Sequence, residues 1–395
     1  MKKLIFLFFS VLIFAKDDFA SFVNNINQSY QTYKKNLYQE FNEYKETLNK
    51  EFANYKKELS VYWKNPELTT KKVFVEYSKD KKVKKKVDFQ KNYVEVAVIA
   101  KDSKTAKKKI IKALFTLSKE TTKTAFNNNP VLVKVDKKFS NIGVKSNIPR
   151  KPLISDVIST DKLIKSAQKD KIQTKPSKIK NTKGYILKVP LPKNTYIIKA
   201  RSYKSDVFEK SKRFKLPPYL IYGVIQTESS FNPMARSYVP AFGLMQIVPQ
   251  TAGKDTYKML YGKAKLLTPS YLYNPSNNIL IGSGYLYKLY YQYFKGVKNP
   301  LTRLFLTIAA YNTGPGNVAC AFNSNRKDYK GRTICYRFKG DYRISKALPK
   351  INSMTPKDVY YYLLKNLRYD EAKNYLKRVF KRSLTYKKAL ETNQI

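Results

Sequence analysis

The chain has 395 residues, enough for two or three folded units, and contains no histidine. That absence excludes Ser-His-Asp and Cys-His catalysis, His-ligated zinc and imidazole acid–base chemistry, leaving carboxylates, lysine and tyrosine to move protons. Its 78 Lys plus Arg against 28 Asp plus Glu give a formal charge of +50. The basic residues are spread along the whole chain without a helix-turn-helix, zinc-finger or RNA-binding signature, so nucleic acid is not an expected partner. Such a surface suits acidic phospholipid or a carboxylate-bearing wall polymer, and a Lys-, Asn-, Tyr- and Ile-biased proteome is the blander source of the charge.

Met1-Lys2-Lys3 and the twelve mostly apolar residues 4–15 read as a secretory signal peptide. The run is short for a spanning helix, which needs ~20 residues. Ala15 suits cleavage, while the larger Ile13 leaves an uncleaved anchor as the alternative. No cysteine follows the run, so cysteine lipidation is not expected. The expected location is the periplasm, peripheral to the outer membrane.

Residues 16–62 predict one long amphipathic helix. Phe19-Phe22-Ile26, Tyr30-Tyr33-Leu37, Phe41-Tyr44-Leu48 and Phe52-Tyr55-Leu59 recur every eleven residues, 3.67 per turn. A continuous helix over this repeat is ~66 Å long. Its stripe is expected to pack on a partner helix or the protein's own body, with a membrane surface as the alternative. Pro66 is expected to end it.

Strand alternation at 73–77, 83–89 and 93–99 predicts an antiparallel meander, followed by a helix capped by Ser103 with Ile110, Ile111, Leu114 and Leu117 inside. Residues 63–135 thus read as a small α+β domain without a catalytic constellation. The polar, lysine-rich stretch 136–183, broken by Pro149, Pro152 and Pro176, reads as a linker. Short strands are expected at 185–189 and 195–200. Helices are then expected at 218–229, 245–253, 276–294, 301–312, 356–367 and 370–382, the last capped by Asp370. The fold class is multidomain: an all-α domain at 184–395, preceded by the α+β domain and the long helix.

Within the helical part, Glu228 stands in Thr227-Glu228-Ser229-Ser230-Phe231-Asn232-Pro233, four residues after Val224 on an apolar face. Partial desolvation and the negative end of the helix dipole both favour its protonated form, which a general acid at neutral pH needs. Ala241-Phe242-Gly243-Leu244-Met245-Gln246 places a close turn before a side chain that both donates and accepts hydrogen bonds. Ala309-Ala310-Tyr311-Asn312-Thr313-Gly314 ends an apolar helix and sets Tyr311 and Asn312 at the mouth of a cleft. Tyr285, Tyr287 and Tyr291 fit either core packing or stacking on sugar faces. The only cysteines are Cys320 and Cys335. In an exported chain they read as a disulfide worth ~3 kcal/mol, and in a cytosolic one as two thiols.

Taken in this order, the ES-x-FNP, GLMQ and AAYN segments and a final tyrosine-bearing helix resemble the lytic transglycosylases of the goose-lysozyme-like superfamily. Residues 226–255, 274–286 and 354–360 look like the membrane-bound lytic murein transglycosylase C group, and 73–98 resembles that group's amino-terminal domain. The resemblance covers 63–125 and 185–382. It implies a lysozyme-like fold and non-hydrolytic cleavage of the β-1,4 bond between N-acetylmuramic acid and N-acetylglucosamine in peptidoglycan, leaving a 1,6-anhydromuramoyl end. It further implies Glu228 as the single acid, then base, and Ser237, Met245, Gln246, Tyr311, Asn312 and Tyr375 as substrate-binding residues. It calls for no cofactor and no metal, and the implied partner is the glycan strand of peptidoglycan. An ordinary glycosidase needs two carboxylates ~5 to 9.5 Å apart. The region from Arg201 onward has only ten acidic residues, and the nearest to Glu228 in the sequence beyond it, Asp255, reads as a surface turn. A water-using muramidase and a silent wall-binding scaffold are the alternatives. Two departures stand out: the group is usually a lipoprotein, and the 320–335 segment is longer than the usual connection.

Overall fold

The computed structural model describes residues 19–395, apart from the side chains of residues 30, 33 and 34, and carries the backbone of the first helix from Lys2. The expected signal peptide lies outside the described residues. Helix α1 (Lys2–Ser60) stops before Pro66. Its stripe divides in two. Phe41, Tyr44, Leu48 and Leu59 are buried on the protein's own body, whereas Phe19, Phe22 and Ile26 are exposed. Among the described residues no helix is long and apolar enough to cross a membrane.

The meander forms as expected: β1 (Val73–Tyr77), β2 (Val83–Asp88) and β3 (Tyr93–Ala100) pair antiparallel. Val94, Val96 and Val98 point to one face, where Ile110, Leu114 and Leu117 of α2 (Ser103–Ser118) cover them. The α2 cap is Asp102 rather than Ser103, its carboxylate accepting from Thr105 N. Then come α3 (Thr122–Asn127) and α4 (Pro130–Lys138), on which α1 rests through an edge-on Tyr44–Phe139 contact at 5.3 Å.

The expected linker at 136–183 is built structure. It holds the end of α4, β4 (Gly143–Val144), α5 (Thr160–Lys169) and β5 (Gln173–Pro176), with Leu153, Ile154 and Leu163 fully buried. These few apolar side chains are diluted by lysine and serine, so no periodic stripe advertises them. The expected boundary at 184 also falls inside β6 (Lys183–Pro190), which pairs with β3 from Ala100↔Lys183 to Tyr93↔Pro190. The sheet order is β1-β2-β3-β6-β5. Residues 195–200, expected as a strand, lie in α6 (Thr195–Ser202). The β3 edge is already used up to Pro190, so the β-branched residues here have no ladder to join.

The rest is helical: α7 (Lys204–Phe214), α8 (Pro218–Ser229), α9 (Lys254–Tyr261), then the two-residue β7 (Leu266–Leu267) beside β4, α10 (Pro269–Leu272), α11 (Pro275–Tyr287), α12 (Pro300–Thr313), α13 (Pro315–Asn323), α14 (Ile344–Asn352), α15 (Pro356–Asn366) and α16 (Asp370–Glu391). Tyr369, not Asp370, is the cap position of α16. Helix α8 is the buried centre, with α16 along it. Gly223 permits that approach, since a Cβ there would lie 2.4 Å from Ser383 Oγ.

Candidate active site

Glu228 occupies the last turn of α8 and is 7% exposed. The helix ends abruptly because Ser230 and Phe231 both take left-handed backbone, φ 53° and 64°. Non-glycine residues pay for that conformation, and such strain persists only where the surroundings enforce it. Here Asn232 supplies the enforcement. Its Oδ1 accepts from Met234 N at 3.1 Å, and its Nδ2 donates to Thr70 O at 3.3 Å. Arg236 N donates to the same carbonyl at 3.4 Å. The turn after α8 therefore grips the segment leading into β1, and the next residue, Lys71, brings its Nζ to 4.0 Å from Glu228 Oε2.

Burial pushes the Glu228 carboxyl above its ordinary range, and nearby Glu371 adds to the rise. Lys71, then Tyr375 and Lys72, oppose it without reversing the direction. Tyr375, on α16, is buried, and its hydroxyl interacts with the carboxylate while meeting no partner at full hydrogen-bond geometry among the described residues. The result is a carboxyl biased towards its protonated form by burial, with the Lys71 cation beside it favouring the ionised form.

Glu228 opens onto a cleft of about 640 Å³ whose lining includes Ser237, Gln246, Tyr285, Tyr311, Asn312 and Glu371. Gly243 makes the turn that brings Gln246 there. It has φ +72°, and a Cβ would meet Asn278 Nδ2 at 2.4 Å and Leu272 O at 2.6 Å. Asn278 clamps this loop by accepting from Met245 N and donating to Phe242 O and Leu272 O. Gln246 itself donates to Gly243 O at 3.0 Å, and its buried Oε1 has no partner among the described residues. The Tyr311 hydroxyl donates to Met245 O at 2.9 Å, tying α12 to the same loop.

Not every expected residue reaches the cleft. The Met245 side chain is fully buried against Gly282, where any Cβ would meet its sulfur, and only its carbonyl serves the site, through Tyr311. Ser237 lines the cleft, yet its hydroxyl is engaged with Val239 O and Ala241 N. Of the three tyrosines, Tyr285 lines the cleft, Tyr287 packs against Phe214, and Tyr291 donates to Lys215 O. Asp255 pairs with Lys288 at 3.5 Å, outside the cleft lining. Cys320 and Cys335 are joined in a disulfide with Cα atoms 5.9 Å apart, and neither lines the cleft. Sequence reasoning missed Lys71, Tyr369 and Glu371. Lys71 carries no local signal at all, whereas Tyr369 and Glu371 flank an acidic helix start that reads as a cap.

Residues 205–333 match the family described as the transglycosylase SLT domain. Curated relatives include the membrane-bound lytic murein transglycosylase C of Haemophilus influenzae (strain PittEE), 39% identical over 212 residues, 54% of each chain. That of Mannheimia succiniciproducens is 40% identical over 192 residues, 49% of this chain and 48% of the relative. The chain spans about half the length of the curated relatives it matches. Among solved structures, the 70 kDa soluble lytic transglycosylase of Escherichia coli is similar at 15% identity and TM-score 0.36, over 73% of this chain and 44% of that one. Residues 205–333 are thus similar to the transglycosylase SLT domain, and over about half its length the chain is similar to the membrane-bound lytic murein transglycosylases C.

Proposed function

We propose that this protein is a lytic transglycosylase of the cell envelope that cleaves the β-1,4 bond between N-acetylmuramic acid and N-acetylglucosamine without water. Protonated Glu228 donates to the glycosidic oxygen as the C1–O bond breaks, and the substrate's 2-acetamido group steadies the cationic carbon. The resulting Glu228 carboxylate then takes the proton of the C6 hydroxyl as O6 bonds to C1, so the acid is regenerated and a 1,6-anhydro end forms. Gln246, Asn312 and Tyr285 present polar and aromatic surface to the sugars, and Tyr311 and Tyr375 hold the site around the acid. The observation that carries this reading is a buried carboxyl kept above its ordinary pKa range at the wall of a cleft of about 640 Å³. The α+β part, residues 63–190, serves as a wall of the site as well as a scaffold, and export to the periplasm brings the enzyme to its polymer.

Glu371 favours a second reading, since a second carboxylate in the same cleft suits a hydrolytic muramidase. Digestion of purified sacculi followed by mass spectrometry separates the two. Anhydro ends, one water lighter than reducing ends, support the transglycosylase; reducing ends alone overturn it.

A further inference from the structure

Beside the catalytic cleft lies a second hollow of about 670 Å³, sharing Lys71 and Ser237 with it. Its cations come from four separate places: Lys56 on α1, Lys71 and Lys72 before β1, Lys91 in the β2–β3 turn, and Arg236 after α8. Its one carboxylate, Asp88, is buried and turned onto the backbone, accepting from Gln90 N at 3.1 Å and Lys91 N at 2.7 Å. Arg236 lies over the Phe52 ring at 3.6 Å. Lys56, Lys72 and Lys91 have no carboxylate within ion-pair distance among the described residues. Burial holds the Lys72 ammonium below its ordinary range, and the neighbouring Arg382 and Arg378 press it further in that direction. Gathering like charges in one hollow is costly unless an anion shares it.

We propose that this hollow receives the carboxylates of the peptide branch borne by the glycan strand, so that Lys56 and Lys91 select stem-bearing over bare glycan. The inference rests on the transglycosylase reading and extends it to the substrate's side chain. The geometry suits it: a strand seated at Glu228 has the hollow at its flank, across Lys71. Free carboxylates, not sugar hydroxyls, are what unpaired ammonium groups recognise.

The test compares two substrates with the full chain: glycan strands bearing their peptides, and strands stripped of them by an amidase. The wild type is expected to show the lower KM on stem-bearing strands. The double variant Lys56→Gln/Lys91→Gln, both exposed positions, should lose that advantage by about 5-fold while cleaving bare strands as before. Amidating the stem carboxylates should reproduce the loss in the wild type, a readout independent of how the variant folds. A wild type indifferent to stems, or a variant that keeps the full preference, overturns the proposal. A wild type inactive on both substrates instead sinks the transglycosylase reading, and this inference with it.

Discussion

The Nζ of Lys71 stands 4.0 Å from Oε2 of Glu228, so a residue preceding the β-sheet lowers the proton affinity that burial gives a carboxyl at the end of α8. Lys71 stabilises the ionised carboxylate and holds the pKa down, against burial. Lys71→Met removes that pull. The Glu228 pKa then rises, and the alkaline limb of kcat/KM against pH moves to higher pH, since the acid must be protonated to act. A profile unmoved, or moved to lower pH, would show that the cation does not act on this carboxyl.

Glu228→Gln separates catalysis from stability. Loss of the general acid should cut sacculus cleavage by about 10²-fold or more. The sign for stability is the reverse. A carboxyl whose folded pKa lies above its unfolded value costs stability as pH rises from the ordinary 4.5 through the folded pKa. The amide removes that cost, so Tm at pH 8 should rise by about 2 °C or more, with little change at pH 4. Calorimetry at both pH values checks it, and a lower Tm at pH 8 contradicts the burial argument.

Tyr311→Phe deletes the hydroxyl that donates to Met245 O. The unpaired carbonyl should cost about 1 kcal/mol, and the loosened Gln246 loop should slow cleavage about 10-fold or more. Urea unfolding and initial rates on sacculi report the two effects separately.

Gly243→Ala meets both an unfavourable backbone at φ +72° and the Asn278 amide at 2.4 Å. A destabilisation of about 2 kcal/mol or more is expected, with activity falling because the Asn278 clamp must shift. Near-wild-type stability would mean that the clamp yields freely.

A buried cluster outside the cleft lining gives a pH signature of its own. Lys85 Nζ lies 2.8 Å from Glu76 and 3.0 Å from Glu120. Burial pushes Glu76 up to about 7, with Glu120 adding to the rise against the pull of Lys85. Stability should therefore fall as pH rises from about 4.5 towards 7. Glu76→Gln should flatten that slope, read as Tm across the same range.

Much of the candidate site was legible in the sequence because its residues sit in short contiguous segments. Glu228, Gly243, Gln246 and Tyr311 each announce themselves by a turn or a helix end. The helical pattern likewise exposed α8, α12 and α15, whose apolar stripes are dense. What escaped depends on distance in the chain. Lys71 is one lysine among many until Asn232 and Arg236 seize the carbonyl before it. Leu153, Ile154 and Leu163 are too sparse to mark a core segment, so 136–183 reads as a linker although it is packed. Met245 misled for a different reason: Gln246 beside it lines the cleft, but Met245 sends its own side chain into the core against Gly282.

The double grip on the Thr70 carbonyl has a consequence for anyone who would excise the matched segment. A fragment trimmed to residues 205–333 keeps Glu228 but forfeits Lys71 on one side and Glu371 and Tyr375 on the other. Its acidity would be that of a different molecule, because the groups tuning it are contributed from both flanks of the homologous segment.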